Sequence, residues 1–138
     1  MSFKRISLLL VIICVTTSVF GQRIIIDWSK DGSGYVTLKD GNITKVDPRK
    51  DISTILVGKE QLTPAGATAP LVVQSFNFNT DNTQLLLFVN TAKVWRYNTR
   101  GDYWVYDFKS STLRQLGKGL PSQSLMFAKF SPDGKNVA

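Results

Sequence analysis

Nucleophilic catalysis by a Ser-His-Asp or Cys-His arrangement needs an imidazole, and this sequence of 138 residues contains no histidine. Histidine-ligated zinc is excluded for the same reason. The single cysteine, Cys14, can build neither a disulfide framework nor a thiolate metal site, and the aspartates are scattered singly. No cofactor and no metal ion is therefore expected here. What remains is recognition chemistry, and its candidate is Arg96, set between Trp95 and Tyr97. A guanidinium stays charged and presents its donors in a fixed fork, so it can hold a peptide carbonyl or a carboxylate in a defined orientation. It can equally lie on the surface, stacked on Trp95 or Tyr97. The residue alone leaves both readings open.

The elements that must position Arg96 are short strands. Arg23–Trp28, Tyr35–Leu38, Ile43–Val46 and Thr54–Val57 are β-prone runs separated by turn residues, Asp31-Gly32 and Asp40-Gly41 among them. Asp-Gly between two such runs signals a hairpin, because a tight primed turn requires positive φ. Pro64, Gly66 and Pro70 mark residues 59–70 as a connecting loop. Leu71–Phe78, Gln84–Asn90, Tyr103–Phe108, Thr112–Leu116 and Ser124–Phe130 follow as further strands. The alternating, aromatic run Tyr103–Phe108 reads as half-buried. No amphipathic helix is predicted after the N-terminal segment. The class is all-β: a sandwich, barrel or propeller.

Met1–Gly21 has a different character. Lys4 and Arg5 precede an apolar run from Ile6 to Val15, and Gly21 precedes Gln22. That order describes a secretory signal peptide over residues 1–21, cut after Gly21. An uncleaved anchor is the competing reading, but the run is short of the ~20 residues a membrane span needs. Ile13 ahead of Cys14 argues against a lipid-attachment signal. The chain is thus expected to be exported. Its formal charge is +7, yet the basic residues form no stripe: Arg49-Lys50 lies between Asp47 and Asp51. Nucleic acid is not an expected partner.

Three segments share one pattern: Asp27–Gly32, Phe76–Asn82 and Lys129–Gly134. Each sets an aromatic ahead of Ser or Asn and an Asp-Gly or Asp-Asn pair, with about 50 residues between copies, the spacing of propeller blades.

Two stretches go further. Phe130–Ala138 resembles the Ser-Pro-Asp-Gly motif of exported β-propellers. Residues 93–107, with Trp95-Arg96 followed by Tyr103-Trp104-Val105-Tyr106-Asp107, resemble the propeller of the dipeptidyl peptidase IV group in the prolyl oligopeptidase family of serine peptidases. In that pattern a short polar turn follows the Trp-Arg pair, and Thr99-Arg100-Gly101 is read as that turn. The likeness runs in order from about Ile24 to Ala138, least distinctly before Leu62.

The resemblance implies an eight-bladed propeller joined to an α/β-hydrolase domain, removing N-terminal dipeptides from peptides with Pro or Ala in second position. It implies that Arg96 contacts the substrate main chain. Glu60 is the only glutamate, so the family's paired glutamates are missing, as are the nucleophile elbow and the triad. Residues 22–138 are accordingly expected to form the first blades of an incomplete propeller, inactive alone, whose hydrolase domain belongs to a longer chain. Homodimer formation stays open. The alternative is a non-enzymatic exported β-domain that binds a partner through Trp95, Tyr97, Tyr103 and Trp104.

Overall fold

The computed structural model describes residues 25–138. The predicted signal segment and Cys14 lie outside the described residues. Nine strands follow in order: β1 Ile26–Trp28, β2 Tyr35–Lys39, β3 Asn42–Asp47, β4 Ile52–Val57, β5 Val73–Phe78, β6 Gln84–Val94, β7 Tyr97–Asp107, β8 Thr112–Gln115 and β9 Leu125–Met126. The described residues contain no α-helix. All pairings are antiparallel, in two meanders: β1-β2-β3-β4 and β5-β6-β7-β8, with β9 added to β7. The predicted strand over Ser124–Phe130 shrinks to β9, and Phe130 instead forms an isolated bridge with Val137.

The two meanders are copies of one unit. In the first, Ser29 N–H donates to the Gly34 carbonyl and Gly32 N–H to the Ser29 carbonyl. The second repeats this with Asn79, Gln84 and Asn82, and the third with Ser131, Asn136 and Gly134. Gly32, Asn82 and Gly134 share φ values of 65°, 59° and 71°. Asp31, Asp81 and Asp133 close these turns by accepting from the N–H two residues ahead, at 2.9, 3.2 and 3.1 Å. The turn residues are thus chosen for positive φ and local side-chain acceptance.

A second turn repeats as well. Asp47 accepts from the N–H groups of Arg49 and Lys50, and Asp107 from those of Lys109 and Ser110. Each turn ends on a residue in the left-handed region, Asp51 at 54° and Ser111 at 52°.

Between Leu85 and Val89 in β6 and between Tyr103 and Tyr106 in β7, side chains are buried on both faces, so Tyr103–Phe108 does not have the single buried face of a half-buried strand. The two-residue period divides their side chains. Leu85, Leu87, Val89 and Tyr106 pack with Val36, Ile43 and Val57 of the first meander and with Leu62 of the loop that follows it. Leu86, Tyr103 and Val105 pack the other way, against Leu125, Ala128, Phe130 and Val137. A sheet covered on one side by the preceding unit and on the other by the following chain is the packing of a propeller blade. Leu85, Leu86 and Leu87 form a continuous apolar run because neither face meets water.

Candidate functional site

The meanders differ in one hairpin. The β2–β3 turn is Asp40-Gly41, closed by the Lys39–Asn42 pair, with φ values of 53° and 79° at its two residues. The β6–β7 turn is Trp95-Arg96, closed by Val94 and Tyr97. Asp31 and Asp81 are 50 residues apart, whereas Asp47 and Asp107 are 60 apart. The second blade therefore carries ten added residues, and they form the distal part of this hairpin. Additions confined to one hairpin of a repeat are where function concentrates.

Thr99-Arg100-Gly101 is not the turn the sequence suggested: all three lie within β7, and the chain reverses at Trp95-Arg96. Close approach explains part of the difference. A Cβ on Gly101 would stand 2.5 Å from a ring carbon of Phe88 and 2.8 Å from the Val89 carbonyl oxygen, so glycine marks strand contact here rather than a bend.

Trp95 has φ of 62°, at a turn position that glycine normally fills. Holding a bulky residue there costs about 1–3 kcal/mol. Burial does not offset it, since Trp95 is 96% exposed. Trp95 therefore stands strained and exposed beside the exposed Arg96, with no packing gain to offset its backbone cost.

Arg96 itself is exposed and lines a groove of about 600 Å³. Ile25, Ile26 and Phe88 supply apolar wall, while Gln74, Ser75 and Asn98 supply neutral hydrogen-bonding groups. Lys93 adds a second positive charge. Such a lining suits a peptide segment: apolar surface for side chains, and donors and acceptors for main chain.

The four aromatics proposed as one contact patch divide in two. Trp95 and Tyr97 project at the hairpin tip, with Tyr97 72% exposed. Tyr103 is buried and stacked on Phe88 with ring centroids 4.7 Å apart, and Trp104 packs into the main core. Burial raises the Tyr103 pKa, partly countered by the N–H groups of Ala128 and Phe127. The remainder of the Tyr-x-x-Tyr-Asp stretch is also structural. Tyr106 Oη accepts from Gln61 Nε2 at 2.8 Å. Asp107 is held down to about 2, first by the Gln84 side-chain amide and then by Ser110.

Glu60 lies exposed in the loop after β4. No cluster of three or more His, Cys, Asp or Glu forms among the described residues. A larger cavity, about 1170 Å³, lies apart from Arg96 where the three repeated turns converge, with Trp28, Lys30, Phe78, Thr80, Phe130 and Pro132 on its walls. Sequence reading also missed a polar knot of Asn90, Asp102, Ser122 and Gln123 at the root of the Arg96 hairpin. The bonds that join them span 12 to 33 positions, and nothing local announces their meeting.

Residues 79–138 match the family described as the dipeptidyl peptidase IV (DPP IV) N-terminal region. Dipeptidyl aminopeptidase B of Saccharomyces cerevisiae is 28% identical over 111 residues, covering 80% of this chain and 13% of that protein. A probable dipeptidyl-aminopeptidase B of Aspergillus oryzae is 28% identical over 109 residues, covering 78% of this chain and 12% of its own. The chain thus spans about an eighth of the length of the curated relatives it matches. Its fold superposes on the crystal structure of Porphyromonas gingivalis dipeptidyl peptidase 4 with a TM-score of 0.71 at 20% identity, over 89% of this chain and 18% of that one. Over residues 79–138 the chain is similar to the dipeptidyl peptidase IV N-terminal region, and its strands are arranged as propeller blades, as in the fold of the Porphyromonas gingivalis enzyme.

Proposed function

We propose that this chain is the substrate-positioning propeller segment of an exported serine-type dipeptidyl peptidase, and that Arg96 contacts the substrate main chain. The observation that carries the reading is the placement of Trp95-Arg96. The pair falls within the matched region, at the turn of the one hairpin enlarged relative to the first blade, beside a groove lined for a peptide. A charged fork at such a turn can hold a carbonyl oxygen of the bound peptide without entering the chemistry. Bond cleavage would fall to a hydrolase domain of the full-length peptidase. Its substrates would be peptides with Pro or Ala in second position. Export would depend on residues 1–21; no helix among the described residues is long and apolar enough to cross a membrane.

The test is Arg96→Ala in the full-length peptidase that carries this segment, assayed on an Xaa-Pro chromogenic substrate. A hydrogen bond from a charged donor is worth about 1.5–3 kcal/mol, so kcat/KM should fall by roughly tenfold to a hundredfold. Arg96→Lys keeps the charge but loses the fork, and should recover only part of the loss. Unchanged kcat/KM in Arg96→Ala would remove Arg96 from the site.

A further inference from the structure

The hairpin that presents Arg96 has an irregular root. The β6–β7 register shifts between Val89 and Ala92, and Asn90 lies in that stretch with φ of 45°. A bulge leaves ladder groups unpaired and bends the ribbon, so the distal arm has a joint at its base. The joint is bridged from outside the hairpin. Asp102, paired with Val89 across the root, accepts from Asn90 Nδ2 at 2.7 Å, Gln123 N–H at 2.7 Å and Ser122 Oγ at 3.3 Å. Asn90 Nδ2 also donates to Ser122 Oγ at 2.8 Å, and Gln123 Nε2 returns to Asn90 Oδ1 at 3.2 Å. Arg100 Nε donates to the Gln123 carbonyl at 2.9 Å, next to the Arg100–Met126 and Gly101–Leu125 pairs.

One carboxylate therefore joins both strands of the root to the chain entering the third repeat. Only an ionised carboxylate accepts from three donors with two oxygens and adds charge-assisted strength. An amide in its place would meet at least one donor with another donor.

We propose that Asp102 is a positioning residue: its carboxylate locks the root of the hairpin onto Ser122 and Gln123 and so fixes where Arg96 stands beside the groove. This rests on the substrate-contact reading of Arg96. Asp102 makes no contact with the substrate, and its effect on turnover runs through Arg96 alone.

The experiment is a double-mutant cycle in the full-length peptidase, with kcat and KM on an Xaa-Pro substrate for wild type, Asp102→Asn, Arg96→Ala and the double variant. Amide hydrogen exchange of residues 91–99 is followed in parallel. The expected result is about tenfold lower kcat/KM in Asp102→Asn, carried mainly by KM, with no further loss when Arg96 is already alanine. Exchange over residues 91–99 should rise by about tenfold in Asp102→Asn whichever residue stands at 96. Multiplicative losses in the cycle, or exchange unchanged from wild type, would overturn the proposal. Wild-type kcat/KM in Arg96→Ala would defeat the substrate role of Arg96, and the exchange result would then decide the lock by itself. Gln123→Gly is the second variant should Asp102→Asn fail to fold. It suits the φ of 59° at that position, removes only the Nε2 bond to Asn90, and should raise exchange in the same direction.

Discussion

Thr80 Oγ1 donates to the Pro132 carbonyl at 2.9 Å, and the Thr80 carbonyl accepts from Lys30 Nζ at 2.8 Å. Lys30, Thr80 and Pro132 occupy the same place in the three repeated turns. In the first two repeats the side chain at this place reaches the main chain of the next repeat at the equivalent place, so the blades are laced at their turns as well as packed at their faces. Asn79 Nδ2 adds a contact to the Gly134 carbonyl at 3.4 Å.

Asn79 should matter more to stability than that lacing, because it holds its own buried turn. It is buried, and its Oδ1 accepts from the N–H groups of Thr83 and Gln84, both at 2.9 Å. Asn79→Ala leaves those donors without their acceptor and should cost about 1–3 kcal/mol, whereas Thr80→Val, at an exposed bond, should cost under about 1 kcal/mol. Denaturant midpoints of the two variants check the order; equal costs would mean that the inter-repeat bonds, not the buried turn, dominate.

Leu86 and Leu87 are adjacent, equally buried, and face opposite ways. Truncation of either to alanine should cost about 2–5 kcal/mol. The consequences should differ in place. Leu86→Ala should loosen residues 125–137, and Leu87→Ala the contact with the first meander. Hydrogen exchange resolved by segment distinguishes the two, and a common pattern would contradict the two-faced packing.

Trp95→Gly removes a large side chain and should not destabilise the chain. Relief of the left-handed strain, about 1–2 kcal/mol, is set against the added backbone freedom of glycine, about 0.5–1 kcal/mol. The expected outcome is a melting temperature equal to or above wild type. A clear fall would show that the indole has a packing role its exposure conceals.

Asp107 links stability to pH. Its folded-state pKa is lowered to about 2 from an ordinary 3.8, chiefly by the Gln84 amide. The unfolded chain then binds more protons between these values, so the contribution is complete above about pH 4 and disappears as pH falls through the folded pKa. Asp31, Asp81 and Asp133 are shifted the same way by the N–H and hydroxyl groups of their turns. Acid titration of stability should be steep in that window, and shallower in Asp107→Asn. An unchanged slope in that variant would assign the acid sensitivity to the other three.

Much of the fold was legible in the sequence because its signals are local. An aspartate accepting from the N–H two residues on, and a glycine or asparagine at positive φ, act within one turn, so three repeats spaced for blades could be read directly. The β-prone runs between them gave strands for the same reason, and Trp95-Arg96 stood out by residue type. Tertiary structure decided what depends on distant partners. Whether Tyr103–Phe108 has one buried face or two depends on the first meander and on residues 125–137, which cover it from opposite sides. The length of the Arg96 hairpin was misread because Gly101 signals a turn by type but serves close contact with Phe88. The Asp102 knot was invisible, since Asn90, Ser122 and Gln123 reach it only once β6, β7 and β9 have paired. Local chemistry wrote the turns, and the packing of one repeat on the next chose where the arginine stands.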